Sequence, residues 1–255
     1  MSIDFPAFLQ HYHDWLYMRR TQFGLDNACG AMARSALGWK YADGNKSVEK
    51  QNAKVIKTAA AIVNSIKEEG EPPKGFEAQT EAVRRIIIAY QRAKAAFDPD
   101  IKVLEAVMKS AMSQLPVAKW ADGIRGFGSG IALVRIIGET GDLSNYPNPA
   151  KVWKRLGLAP HNGQAYSTWR LKGGLSGQEW VDAGYKPSRR SSSFVVGESL
   201  LKLNDGKYRA KYDARRAHTA TTHADWTKGH SHMDAMRIMI KELVKDLWVE
   251  WHKAK

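Results

Sequence analysis

Apolar residues in this chain return every three or four positions, the spacing that places them on one side of a helix. The longest such run covers 47–69. There Val48, Val55, Ile56, Ala59, Ile62, Val63 and Ile66 share a face, and Ser47 is placed to cap the start. A second stripe, in 232–251, repeats Met233, Met236, Ile240, Leu243, Leu247 and Trp251. It reads as core or as a dimer seam rather than a cofactor box. No alternating strand pattern and no internal repeat occurs in the first 110 residues. The spacing therefore predicts a mainly α fold.

Further helices are expected at 6–20, from a cap at Asp26 through 36, at 78–97 (burying Val83, Ile86, Tyr90 and Ala93) and at 100–115. Glu69 to Gly75, with two prolines and two glycines, is a break. Past Pro116 a short helix is expected at 117–123. Asn148-Pro149 is a helix start, and 159–187 reads as a long loop with room for one short hairpin. Helices at 188–203, 207–216 and 232–251 follow, with Asp205-Gly206 as a turn. Two regions result: a helical N-terminal region, 1–114, suited to be a dimerisation coil, and a second region, 115–255.

Charge separates these regions. The chain has 255 residues and a formal net charge of +13. Residues 1–114 hold 16 Lys/Arg against 13 Asp/Glu, whereas 115–255 hold 23 against 13. A positive excess concentrated in one half favours phosphate backbones. Hydrophobic residues reach 44%, enough for a packed core. No apolar run approaches the roughly 18 residues of a membrane span, and the first 15 residues lack the basic start and apolar block of a signal peptide. Cys29 is the only cysteine, so no internal disulfide forms. These features predict a cytoplasmic protein with no membrane partner.

The segment Gly126-Phe-Gly-Ser-Gly-Ile-Ala has the form of the turn in a helix-hairpin-helix. Glycine permits positive φ there and lets backbone N–H groups approach a phosphate oxygen. Phe127 is expected to turn inward and fix the two helices. The candidate contacts are Gly126, Gly128, Ser129 and Gly130, with Lys119, Arg125 and Arg135 beside them. A dinucleotide fingerprint would need a strand before the glycines and a βαβ unit around them, and neither pattern is present. A glycine-rich turn with no ligand remains the alternative.

Three motifs in order carry a resemblance. They are Gly123-Ile-Arg-Gly-Phe-Gly-Ser-Gly-Ile-Ala, Ile137-Gly-Glu-Thr-Gly-Asp-Leu-Ser-Asn-Tyr and Pro149-Ala-Lys-Val-Trp-Lys-Arg-Leu-Gly-Leu-Ala-Pro. Over about 115–255 the chain resembles the C-terminal domain of the bridge-RNA-guided insertion-sequence transposases, a family that includes the pilin-gene invertases. Gly229-His-Ser-His and Ala235-Met-Arg-Ile-Met-Ile-Lys are similar to that family's closing helix. The resemblance implies a helical bundle or coil followed by a helix-hairpin-helix-containing, transposase-like domain. It also implies DNA as partner, a structured guide RNA, and a homo-oligomer assembled through the N-terminal helices.

Two departures bear on activity. The family's RNase-H-like domain, with four acidic metal ligands, has no counterpart in 1–110. No cofactor is therefore evident, and magnesium enters only if a separate RNase-H-like subunit supplies its site. The resemblance also implies a nucleophilic serine after Gly-Leu-Ala-Pro. Counted without a gap, Ala165 stands there, and Ser167 serves as the catalytic residue only if the loop shifts by two positions.

Other clusters add candidates. Ser188-Arg-Arg-Ser-Ser-Ser-Phe offers Arg189 and Arg190 as a phosphate clamp at a helix start, or as a solvated basic cap. Lys151, Lys154 and Arg155 lie on the helix after Pro149. Lys202, Lys207, Arg209, Lys211, Arg215 and Arg216 form a basic run, with Tyr208 and Tyr212 interleaved for stacking or for packing. Among seven tryptophans in 115–255, Trp169 and Trp180 are the ones expected to meet a partner. His11, His13, His218, His223, His230 and His232 lack recognised zinc spacing and read as surface or capping residues.

The expected function is nucleic-acid binding through the phosphate backbone. The alternatives are an active serine transposase subunit using Ser167, or a catalytically silent assembly protein of the same fold.

Overall fold

The computed structural model describes residues 3–160, 177–182, 184–203 and 206–253. All regular structure among them is helical, with no strand. Eleven α-helices are labelled in chain order: α1 (Phe5–Ala36), α2 (Lys46–Lys67), α3 (Glu77–Ala95), α4 (Asp98–Ser113), α5 (Ala118–Asp122), α6 (Leu133–Thr140), α7 (Pro149–Arg155), α8 (Gly177–Asp182), α9 (Pro187–Leu203), α10 (Gly206–Thr222) and α11 (Lys228–Lys253). No helix among the described residues is long and apolar enough to cross a membrane.

The chain forms two compact units. One comprises residues 1–13 with 105–255, the other residues 14–104. The division is thus not a single cut near 114. The first residues of α1 belong with the C-terminal unit.

The 14–104 unit gathers Cys29, Ala33, Ala59, Ile62, Val63, Ile66, Val83 and Ile87 into its core. The α2 stripe behaves as its spacing requires, although Ile56 is exposed. On α3 Val83 is buried as expected, but of the isoleucines the buried one is Ile87, not Ile86, and Ala93 faces solvent. A run of three isoleucines has no polar residue to set its phase, so tertiary packing chooses. The cap of α2 is Asn45, whose side-chain oxygen accepts from the N–H groups of Ser47 and Val48.

Asp26 corrects the sequence expectation more sharply. It starts no helix, because α1 continues unbroken through it to Ala36. Its carboxylate instead accepts from Lys67 of α2 at 3.0 Å and from Lys94 of α3. Burial pushes this carboxyl up, but the two lysines outweigh burial and hold it below the ordinary carboxylate value. A lowered folded-state value means the contribution is present above about pH 4 and is lost as pH falls through the folded value. The carboxylate is about a third exposed, so solvent screening limits its contribution to about 1 kcal/mol. Asp26→Asn is expected to lower stability by that amount at pH 7 and to flatten the acid limb below pH 4. Urea unfolding at several pH values checks this.

The other unit is built around α11. Ala235, Met236, Met239, Ile240, Leu243, Val244, Leu247 and Trp251 are buried along it, so the predicted stripe is core; Met233 alone of the six is exposed. Helices α7, α9 and α10 pack on α11, and α6 packs on α9. Gly197 of α9 allows a close approach to α11: a Cβ there would stand 2.8 Å from Ile240. Three indoles bind α11 to the segment before and within α7. Trp248 donates to the Tyr146 carbonyl at 2.8 Å, Trp251 to Ser144 at 3.1 Å, and Trp153 to the Lys241 carbonyl at 3.0 Å.

Candidate nucleic-acid interface

The predicted glycine turn lies between α5 and α6. Gly126 and Gly128 have φ of +85° and +57°, conformations in which a side chain is strained. At Gly126 the need is doubled, because a Cβ would meet the Ser199 carbonyl at 2.7 Å. A single wide helical turn, Gly128–Ala132, then leads into α6 and is broken at Gly130, where ψ is −152°. Phe127 is buried and meets Trp120 edge-on at 6.2 Å, as expected of the residue that fixes the turn. Lys119 and Arg125 are exposed nearby in sequence, whereas the Ser129 side chain lies outside the described residues.

Behind α6 a buried carboxylate joins three elements. Glu139 accepts from the Tyr12 hydroxyl and the Ser192 hydroxyl, each at 2.9 Å, and stands 3.8 Å from Arg189. The Tyr12 ring lies flat against Gly138, where a Cβ would fall 2.5 Å from Cδ1. Burial, then the Glu139 charge, pushes the Tyr12 phenol above its ordinary value, so it stays a neutral donor. Sequence reading missed this group. Tyr12 is 127 residues from Glu139, and the one available signal was a carboxylate inside the apolar run 131–140.

The polar cluster at the start of α9 folds inward. Arg190 donates to the Gly157 carbonyl at 2.8 Å and stacks on Phe194 at 4.6 Å. Arg190, expected among the phosphate-binding cations, is half-buried, and these contacts tie it to the chain where α7 ends. Arg237 reaches the next carbonyl, Leu158, at 3.4 Å. Ser192 is spent on Glu139 and Ser193 on the Arg189 carbonyl.

The basic run on α10 is largely neutralised within the fold. Lys207 pairs with Asp246, Arg209 with Asp213, Lys211 with Glu242 and Arg215 with Asp234. Arg216 donates to the Lys228 carbonyl. Tyr208 is buried and donates to Asp246, and Tyr212 bonds His232 at 2.7 Å. These residues pack; they do not form the stacking row that their spacing allowed.

The cations of α7 are different. Asn148 caps this helix, as its Asn-Pro start predicts. Its solvent face carries Lys151, Lys154 and Arg155, which with Asn145, Tyr146, Pro147 and Gly184 line a hollow of about 420 Å³. Lys151 and Lys154 have no ion-pair partner among the described residues. Arg155 uses its Nε on the Glu139 carbonyl at 3.2 Å, which aims the guanidinium without neutralising it. Arg189 is close enough for Arg155 to act on it. Burial and that neighbour lower the Arg189 guanidinium from its ordinary value, while Glu139 and Tyr146 oppose the change. Two guanidinium groups held close together, beside two lysines that have no ion-pair partner among the described residues, make a field that an anion would relieve.

Ser167, Ala165 and Trp169 lie outside the described residues, as does the Trp180 side chain. No group of three or more His, Cys, Asp or Glu side chains able to hold a metal occurs among the described residues. Comparison with protein-family models, curated proteins and solved structures finds no match to this chain.

Proposed function

We propose that this chain is a nucleic-acid-binding protein that grips the phosphate backbone, with 115–255 related to the C-terminal domain of insertion-sequence transposases. In this reading α5, the glycine turn and α6 form the helix-hairpin-helix. The observation that carries the proposal is the convergence of Lys151, Lys154 and Arg155 on one hollow, with Arg189 close to Arg155 and with no acidic side chain lining the hollow among the described residues. Backbone contacts of this kind position a nucleic acid and release counterions.

Double charge reversal, Lys151→Glu with Lys154→Glu, is expected to weaken binding of a labelled oligonucleotide at least tenfold near 0.15 M salt. It should also reduce the slope of log affinity against log salt by about 2, or a little less on a single strand. Both residues are exposed, so the fold should persist. Binding that ignores both the reversal and rising salt would overturn the reading.

A further inference from the structure

We propose that the hollow on α7 receives one unstacked nucleotide, so that the preferred ligand is a single-stranded nucleic acid rather than a regular duplex. This rests on the phosphate reading above and adds a base to it. The carrying feature is Tyr146, an aromatic residue that lines the same hollow as the three cations. That residue is held through both its side chain and its backbone. Its hydroxyl donates to the Thr140 carbonyl at 2.7 Å, and its own carbonyl accepts from Trp248 at 2.8 Å. A ring fixed before binding loses little entropy on stacking. Tyr146 is half-buried and lines the hollow together with the cations.

The volume, about 420 Å³, lies in the range of roughly 300–1,000 Å³ that takes a small organic group. An aromatic residue beside cations that have no acidic partner among the described residues matches the two parts of a nucleotide, base and phosphate. In a duplex the base faces are already stacked on one another, and only a single strand or an opened end can offer one. The cations alone would serve either form; the ring distinguishes them.

The test is fluorescence anisotropy with three labelled 15-nucleotide probes: single-stranded DNA, single-stranded RNA of the same sequence, and the DNA duplex. The wild-type chain is expected to bind at least one single strand about tenfold more tightly than the duplex. Tyr146→Leu should remove that preference, lowering single-strand affinity about tenfold and duplex affinity little. Tyr146→Phe keeps the ring and should keep the preference, which separates stacking from the bond to Thr140. Equal or tighter duplex binding by the wild type, or a preference that survives Tyr146→Leu, overturns the inference. If the Lys151/Lys154 reversal still weakens duplex binding in that case, the phosphate reading stands while this one falls.

Discussion

Gly138→Ala is expected to destabilise the protein by up to about 3 kcal/mol, although alanine is the better helix former by about 1 kcal/mol. The added Cβ would lie 2.5 Å from Cδ1 of the fully buried Tyr12 ring. Overpacking of this kind costs about 1–3 kcal/mol. Displacing the ring also draws the Tyr12 hydroxyl away from Glu139, adding about 1 kcal/mol or more. In thermal unfolding the change corresponds to a fall of roughly 10 °C. A double-mutant cycle isolates the cause. In a Tyr12→Ala background the clash partner is gone, so Gly138→Ala should be neutral or stabilising. A cost that is the same in both backgrounds would show that the ring contact is not responsible.

Glu139→Ala should cost a similar amount, about 3–4 kcal/mol, for a different reason. It leaves the buried Tyr12 and Ser192 hydroxyls without their acceptor and removes the anion beside Arg189. The two bonds at 2.9 Å matter more than the ion pair, whose 3.8 Å separation gives up most of the gain of a charge-assisted contact. Glu139→Gln keeps an acceptor and should therefore recover about half the loss. Urea unfolding of both variants decides the ranking. If Glu139→Gln is as damaging as Glu139→Ala, the ion pair dominates and this assignment fails. Because Arg189 stands beside Arg155, Glu139→Ala should also change the salt dependence of oligonucleotide binding; the exposed lysines would be untouched.

Both effects meet where Tyr12 packs on α6, inside the unit formed by residues 1–13 and 105–255, a contact that sequence spacing does not reveal. The notes of local structure were legible: the α2 face, the Asn148-Pro149 start of α7, the inward Phe127 and the buried run on α11. Each depends on residues within a few positions of one another. Errors arose where two local options were nearly equal. Asp26 suits a cap and suits an ion pair, and only the proximity of Lys67 and Lys94 selects the second. Ile86 and Ile87 are equally apolar, and only the position of α2 selects Ile87.

The basic half shows the same limit at the candidate site. Composition established the sign and the uneven distribution of charge, but a formal charge says nothing about which cations meet a carboxylate. Folding set α10 against the acids of α11, whereas Lys151 and Lys154 of α7 have no such partners among the described residues.

What the sequence alone determined is therefore the helical class, the face of each long helix and the presence of a glycine turn, because these follow from spacing and backbone freedom. Tertiary structure decided that residues 1–13 belong with 105–255, that Glu139 binds Tyr12 and Ser192, and that the open cations gather beside Tyr146. Those outcomes depend on which surfaces come together, and desolvation makes each pairing sensitive to partners far away in the chain.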